Sequence, residues 1–242
     1  MGWRRGNGTG RDNLAVELYD PDLHMRRALP TICPLCHSAS AGVFAELRGS
    51  PFSRCEVCSL TFRGPGDHPS PEQELLRYAI HQNDPSDPRY RAYLSPLVEA
   101  LAPHLATRAE GLDYGSGPGP ALPVMLEERG FRVTLYDPFF APDAAVLARE
   151  YDFITCSETA EHFAKPAEEF ERFDRILRPG GWLGVMTQLL TEDTDFGRWH
   201  YARDVTHLCF YTRDTMAWIA GRHGWSLEYP HPRVALFRKG IE

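Results

Sequence analysis

The chain has 242 residues, a net charge of −7, a 43% hydrophobic content and six cysteines. That length buries one substantial core plus a small extra module, and the negative balance opposes general attraction to a polyanion such as RNA. No long apolar run reads as a membrane span, and the Gly/Arg-rich start lacks the apolar stretch of a secretory signal, so the expected setting is the cytoplasm. Charge divides the chain: residues 1–30 carry five basic and four acidic groups, residues 31–68 three of each, and the remainder 18 basic and 26 acidic. The first 30 residues read as an extension, unstructured over Met1–Asn13 and with one short helix over Leu14–Leu29.

Four of the six cysteines follow, in Cys33-Pro-Leu-Cys36 and Cys55-Glu-Val-Cys58. The C-x2-C-x18-C-x2-C spacing lies in the range of a zinc ribbon, here residues 31–68. Each tight Cys-x-x-Cys turn offers two thiolates to one metal, and two turns complete a tetrahedron. Iron in the same all-thiolate set, two redox pairs, or plain core thiols are the other readings of this spacing. A closed four-cysteine site has no open position for substrate, so its role is structural. Val43–Leu47 and Leu60–Phe62 read as ribbon strands, and Cys156 and Cys209 as packing residues in apolar surroundings.

Gly64–Pro71 reads as a linker into a helical segment, 69–107. Glu72–Ile80 and Tyr90–Leu105 have helical apolar spacing. Tyr78, His81, Tyr90 and Tyr93 either line a lid or pack one helix face.

A third segment, 108–242, opens on a strand ending at Asp113, runs through Leu112-Asp-Tyr-Gly-Ser-Gly-Pro-Gly119, and enters a helix over Pro120–Arg129 with Leu122, Met125 and Leu126 on one face. Strand, glycine turn and helix form the first half of a nucleotide-binding α/β unit. The dinucleotide fingerprint fails, because the sixth position counted from Gly115 is Pro120, and no lysine is present to make a phosphate-binding Walker loop. A second strand, Phe131–Asp137, ends on an acid about twenty residues beyond the glycines, where a carboxylate accepts hydrogen bonds from ribose hydroxyls.

Asp-x-Gly-x-Gly-x-Gly resembles the first motif of class I S-adenosylmethionine-dependent methyltransferases. Tyr151–Glu158 resembles their fourth strand, and Phe173–Thr187, with Leu-Arg-Pro-Gly-Gly inside it, their helix, turn and fifth strand. The resemblance covers about Ala109 to Arg238 and implies an α/β fold, the Rossmann-like methyltransferase sheet; the zinc ribbon read from the cysteine spacing stands in front of it. It implies that Asp113 lies near the methionine ammonium of S-adenosyl-L-methionine, that Gly115, Ser116, Gly117 and Gly119 face the nucleoside, and that Asp137 and Pro138 flank the ribose. Helices ahead of the motif cover the cofactor in such enzymes. About fourteen residues separate Asp137 from Tyr151, too few for the usual helix, third strand and helix. Asp143–Arg149 makes one short helix, the third strand is missing or vestigial, and the adenine contact that region supplies falls to Ser157 or a backbone group.

Glu158-Thr-Ala-Glu161-His162 follows the fourth strand. If a helix starts there, positions 158, 161 and 162 share one face at the carboxyl edge of the sheet. Two carboxylates plus imidazole can hold Mg²⁺, Mn²⁺ or Fe²⁺. The pattern resembles the Glu-x-x-Glu-His of ubiquinone-type O-methyltransferases and small-RNA 2′-O-methyltransferases, which implies a divalent metal on Glu158, Glu161, His162 and a later histidine, His207. Without metal the same residues order the loop, or His207, Glu158 and His162 serve as catalytic groups. Arg198-Trp-His-Tyr201 reads as an acceptor wall, Asp214–Arg222 as a helix, and Trp225–Tyr229 with Arg233–Arg238 as a closing hairpin. The reading is a methyltransferase acting on a small-molecule hydroxyl. A sugar carbon, an RNA acceptor, and a non-catalytic ribbon that binds a partner protein are the rivals; the ribbon's zero net charge and the acidic core weigh against RNA. Oligomeric state is not legible.

Overall fold

Residues 31–80 and 83–241 are described by the structure, a computed structural model. The extension over residues 1–30 and His81 lie outside the described residues.

The cysteine module is an antiparallel sheet of β1 (Ala41–Leu47), β2 (Ser50–Cys55) and β3 (Thr61–Arg63). Arg48 and Gly49 turn β1 into β2 with φ of 53° and 80°. Two left-handed residues in a two-residue loop match the twist of the flanking strands. Strand β2 had no expectation; Pro51 and its polar residues hide the alternation that burial of Phe52 imposes. The module does not end its sheet with its own residues. Strand β8 (Cys209–Phe210), from the far end of the chain, pairs antiparallel with β3.

The large sheet has the order β5-β4-β6-β7-β10-β9, with β4 (Glu110–Tyr114), β5 (Arg132–Tyr136), β6 (Tyr151–Ser157), β7 (Leu177–Met186), β9 (Ser226–His231) and β10 (Val234–Arg238). Strands β5, β4, β6 and β7 are parallel, and β10 and β9 close the sheet antiparallel. The chain leaves β4 for β5 on one side and then crosses to β6 on the other. Ligands bind at such a switch point, outside the carboxyl ends of the strands. Between β5 and β6 only a 3-10 turn, Ala144–Ala148, is formed, so β5 is the sheet edge and the third strand is absent from the described residues.

Helices α2 (Pro88–Leu101) and α3 (Ala121–Glu127) cover one face, where Leu94, Leu97, Val98, Leu122 and Leu126 pack with Phe153, Met186 and Leu236. Helices α4 (Pro166–Ile176) and α5 (Arg213–His223) cover the other through Phe170, Phe173, Ile176, Met216 and Ile219. Helix α1 (Pro71–Ala79) buries none of its residues fully and sets Tyr78 against Phe139 and His162. Two local expectations are revised. The Pro-Gly-Gly turn does not precede the fifth strand but bulges within it: Tyr151 pairs with Leu177 and Phe153 already with Trp182, with Gly180 left-handed at φ +77°. No α-helix starts at Glu158; only a single 3-10 turn, Ala160–His162, forms there.

Candidate active site

The glycine loop is held by its neighbours before any ligand is considered. The Gly115 and Ser116 amides donate to the Tyr136 carbonyl, at 2.8 and 3.2 Å, and Gly115 is left-handed at φ +80°. Asp137, at the end of β5, accepts from the Gly117 amide at 2.9 Å on one oxygen and from the Phe139 and Phe140 amides at 2.8 and 3.0 Å on the other. A carboxylate placed by sequence at the ribose therefore also fixes the loop against the second strand. Gly119 faces the backbone of Asn83, so a methyl group there would lie 1.6 Å from that carbonyl oxygen.

Asp113, at the end of β4, is buried and accepts from the Thr155 hydroxyl at 2.6 Å. Burial pushes its carboxyl up to about 7, with the nearby charge of Asp137 adding to the effect and the Thr155 bond opposing it. Glu158 sits at φ +47°, uncommon for a residue with a side chain, and is pinned by its amide to the Met186 carbonyl at 2.7 Å. Burial, and then the charge of Glu161, raise its carboxyl to about 8.

Together these residues line a cavity of about 690 Å³, with Pro138 and Ser157. Tyr78, from α1, and Tyr90 and Tyr93, from α2, close its other side. Seven carboxylate residues line it against a single arginine. Such a wall offers few cations to hold a diphosphate, and its aromatic faces suit a cation. Among the described residues, Ser116 Oγ, Ser157 Oγ and Glu158 Oε1 are buried without a hydrogen-bond partner, and all three residues belong to this lining. Unmatched buried oxygens are costly, and a polar ligand in the cavity would satisfy them.

At the far end, Glu161, His162 and His207 bring one ligand atom each within 4.8 Å of one another. The His162 Nδ1 atom bonds to the Thr206 carbonyl at 2.9 Å, and that of His207 to the Tyr201 carbonyl at 2.7 Å. A carbonyl accepts only, so both rings carry their proton on Nδ1 and present Nε2 as a lone pair. Burial lowers the two imidazoles to about 4 and about 3, so both are neutral at ordinary pH. The Thr187 hydroxyl donates to Glu161 at 3.0 Å and also contacts the Tyr201 hydroxyl at 2.8 Å. Glu158 lines the same cavity but stands outside this three-residue group.

A family description, "Methyltransferase domain", matches residues 87–229. The chain belongs to the methyltransferase domain family. The match agrees with the resemblance to class I S-adenosylmethionine-dependent methyltransferases that the glycine loop carries, and it begins after the four cysteines. The Klebsiella pneumoniae ubiquinone biosynthesis O-methyltransferase is 32% identical over 85 residues, which is 35% of this chain and 35% of that one. The aligned stretch thus spans about a third of the curated relatives' length. Among solved structures, Burkholderia thailandensis 1,6-didemethyltoxoflavin-N1-methyltransferase, with its substrate and S-adenosylhomocysteine bound, is 15% identical, with a TM-score of 0.49 over 83% of this chain and 99% of that one. An O-methyltransferase family protein from the same organism is 17% identical, with a TM-score of 0.49 over 73% and 66%.

In this methyltransferase the expected acceptor wall divides. His200 and Tyr201 line the cavity, whereas Trp199 packs with Phe196 and Phe210 toward the ribbon and Arg198 points out beside Asp195. The tyrosines of the helical segment that fall within the described residues do reach the cavity. Several site residues carried no sequence signal: Asn83, Thr155, Thr187 and Gln188 act through contacts that only the folded strands create.

The four ribbon cysteines lie with Sγ atoms within 4.8 Å of one another, Cys33 to Cys58 at 3.5 Å and Cys36 to Cys55 at 3.4 Å. These separations exceed the ~2.05 Å of a disulfide and approach the ~3.8 Å edge of a tetrahedron with ~2.3 Å metal–sulfur bonds. His37 and Ser59, each just after the second cysteine of its pair, are left-handed at φ 59° and 58°, and the Val57 amide points at Cys55 Sγ, 3.4 Å away. Both turns thus have the same build, with thiols gathered inward. No helix among the described residues is long and apolar enough to cross a membrane.

Proposed function

We propose that the chain transfers the methyl group of S-adenosylmethionine to a hydroxyl of a small molecule, with a structural zinc ion on Cys33, Cys36, Cys55 and Cys58. The observation that carries the acceptor reading is the Glu161, His162 and His207 group, set in the same cavity as the glycine loop with both imidazole lone pairs fixed inward. The donor's sulfonium is already activated, so the chain's work is alignment and removal of the acceptor's proton. The acceptor oxygen forms its bond to the methyl carbon, the carbon–sulfur bond breaks, and S-adenosylhomocysteine leaves as a neutral thioether. Asp113 and the glycine loop hold the donor, and Ser116, Ser157 and Glu158 present their oxygens to it or to the acceptor.

The proton has two routes. His207, with His162 against its ring and Glu158 in the same cavity, accepts it directly. Alternatively Glu161, His162 and His207 hold a divalent cation, which would lower the acceptor's pKa. Hydrogen bonds to both Nδ1 atoms and to Glu161 are the outer contacts that orient such ligands. Two imidazoles and one carboxylate suit Mn²⁺ better than Mg²⁺, which prefers oxygen ligands and water. The ubiquinone biosynthesis relative supports an oxygen acceptor.

The test is a labelled-methyl transfer screen over phenols, vicinal diols and RNA, run with Mn²⁺, with Mg²⁺ and with chelator after zinc has been loaded. Transfer to a small hydroxyl compound is the expected result. Labelling of RNA alone, or of none while S-adenosylhomocysteine still binds, would sink the acceptor reading. Full turnover in chelator would leave the His207 base route.

A further inference from the structure

The missing third strand removes the residue that such enzymes use at the adenine and leaves β5 as a free edge, beside which Tyr114 and Tyr136 lie on the α4 side of the sheet with ring centroids 5.0 Å apart. On that side the cavity lining includes Tyr136, Phe163 and two charged residues of α4, Glu169 and Arg172. Glu169 is half-hidden there, with 19% of its side chain exposed. One of its oxygens, Oε2, accepts from the Tyr114 hydroxyl at 2.5 Å and from Arg172 Nη1 at 2.6 Å. Among the described residues no hydrogen bond reaches the other oxygen, Oε1. The carboxylate is therefore fixed in orientation by one oxygen and offers the second within an aromatic end of the cofactor cavity.

Resting on the donor reading above, we propose that Glu169 is the adenine-binding acid of this protein, its Oε1 accepting the exocyclic amine of the cofactor's purine. The α4 helix thereby takes over what the third strand supplies elsewhere. The direction is consistent along the cavity: Asp113 at the amino-acid end, Asp137 and the glycines at the ribose, and Glu169 beyond Tyr136 on the other face of the same two strands. A carboxylate accepts only, so it welcomes an amine at the purine 6-position and repels a carbonyl there. Tyr114 and Arg172 are positioning residues, since they touch Oε2 and act through Glu169.

The experiment is calorimetry on the zinc-loaded full chain with S-adenosylhomocysteine and with S-inosylhomocysteine, in which the amine is replaced by a carbonyl. The wild type should prefer the adenine compound by about ten-fold or more, the scale of a hydrogen bond to a charged group. In Glu169→Gln, Arg172 and Tyr114 still claim the amide oxygen, so the amide NH₂ faces the purine. The preference should then reverse in favour of the inosine compound, with no loss of folding. Asp137→Asn should weaken both ligands alike. An unchanged ratio in Glu169→Gln while the wild type binds S-adenosylhomocysteine would overturn this assignment alone. Absence of binding by the wild type would overturn the donor reading and this assignment with it.

Discussion

Leu208 is bonded on both sides: its carbonyl accepts from the Arg63 amide at 2.8 Å, and its amide donates to the Glu161 carbonyl at 2.7 Å. One residue thus joins the last strand of the ribbon to the backbone of a site carboxylate, and its chain neighbour is His207. The Arg63 side chain adds longer contacts to the Asp204 and His207 carbonyls, both 3.5 Å.

The first prediction follows from that junction. Because β3 pairs with β8 and Phe52 packs with Phe196 and Phe210, the ribbon and the core share one sheet and one apolar cluster. Metal analysis should find about one zinc per chain, and Cys33→Ser should lose it. Calorimetric unfolding of that variant should show one transition at lower temperature. A core transition unchanged from the wild type, with only a separate low-temperature step lost, would show the two parts to be independent.

The glycine loop gives a ranking. Gly119→Ala would drive a methyl group to 1.6 Å from the Asn83 carbonyl oxygen, and Gly115→Ala to 2.3 Å from Thr159 at a left-handed backbone. Gly117 is also left-handed, but its nearest neighbour would be 3.8 Å away, so alanine there meets only the backbone penalty of about 1–2 kcal/mol. Titration with S-adenosylhomocysteine should show binding abolished in the first two variants and weakened about ten-fold in Gly117→Ala. Equal effects at all three positions would mean that backbone strain, not the approach of Asn83 and Thr159, governs the loop.

Much of this was legible in the sequence because it is local. The strand-end acids Asp113 and Asp137, the glycine spacing and the paired cysteines are each set by a turn whose geometry the residues themselves impose. The short interval from Asp137 to Tyr151 foretold the absent third strand, since chain length bounds what can be built. What was not legible depends on distant segments. The α-helix expected at Glu158 is replaced by a 3-10 turn, because the Glu158 amide is tied to Met186 and the Leu208 amide claims the Glu161 carbonyl. Nothing in Arg63, Asn83 or Cys209 announces its partner across the fold.

Asp204 orders the loop before His207. It accepts from Arg77 at 2.6 Å and from the Thr206 amide and hydroxyl at 3.1 and 2.8 Å. Burial opposes its charge, yet the bonds from Arg77 and Thr206 hold its carboxyl below the usual carboxylate range. That stabilisation is present above the unfolded value near 4 and is lost as pH falls through the lower folded value. Asp204→Ala should therefore cost about 1–3 kcal/mol at pH 7, with Arg77 contributing the smaller share because it is more than a third exposed. The difference from wild type, read by urea unfolding, should shrink below pH 4. A difference independent of pH would place the effect in packing.

Asp113 titrates in the opposite sense. Burial raises its carboxyl to about 7 in the folded chain, against about 3.9 when unfolded. Below pH 4 both forms are protonated and Asp113 adds no pH dependence. Between about pH 4 and 7 the unfolded chain ionises it while the fold keeps it neutral, so stability falls as pH rises. Above pH 7 the full penalty remains, bounded by roughly 4 kcal/mol from the difference in pKa. Asp113→Asn retains an acceptor for Thr155 and removes the charge, so without ligand it should be more stable than wild type at pH 8 and no more stable at pH 4. Ligand binding should run the other way. The ammonium of S-adenosylhomocysteine favours the ionised carboxylate, so wild-type affinity should climb from pH 5.5 to 8, while Asp113→Asn should bind more weakly with a flatter profile. Urea unfolding and calorimetry over the same pH range test both halves. A variant less stable at pH 8 and equal in affinity would mean that Asp113 is ionised and engaged with the fold rather than kept in reserve for the cofactor.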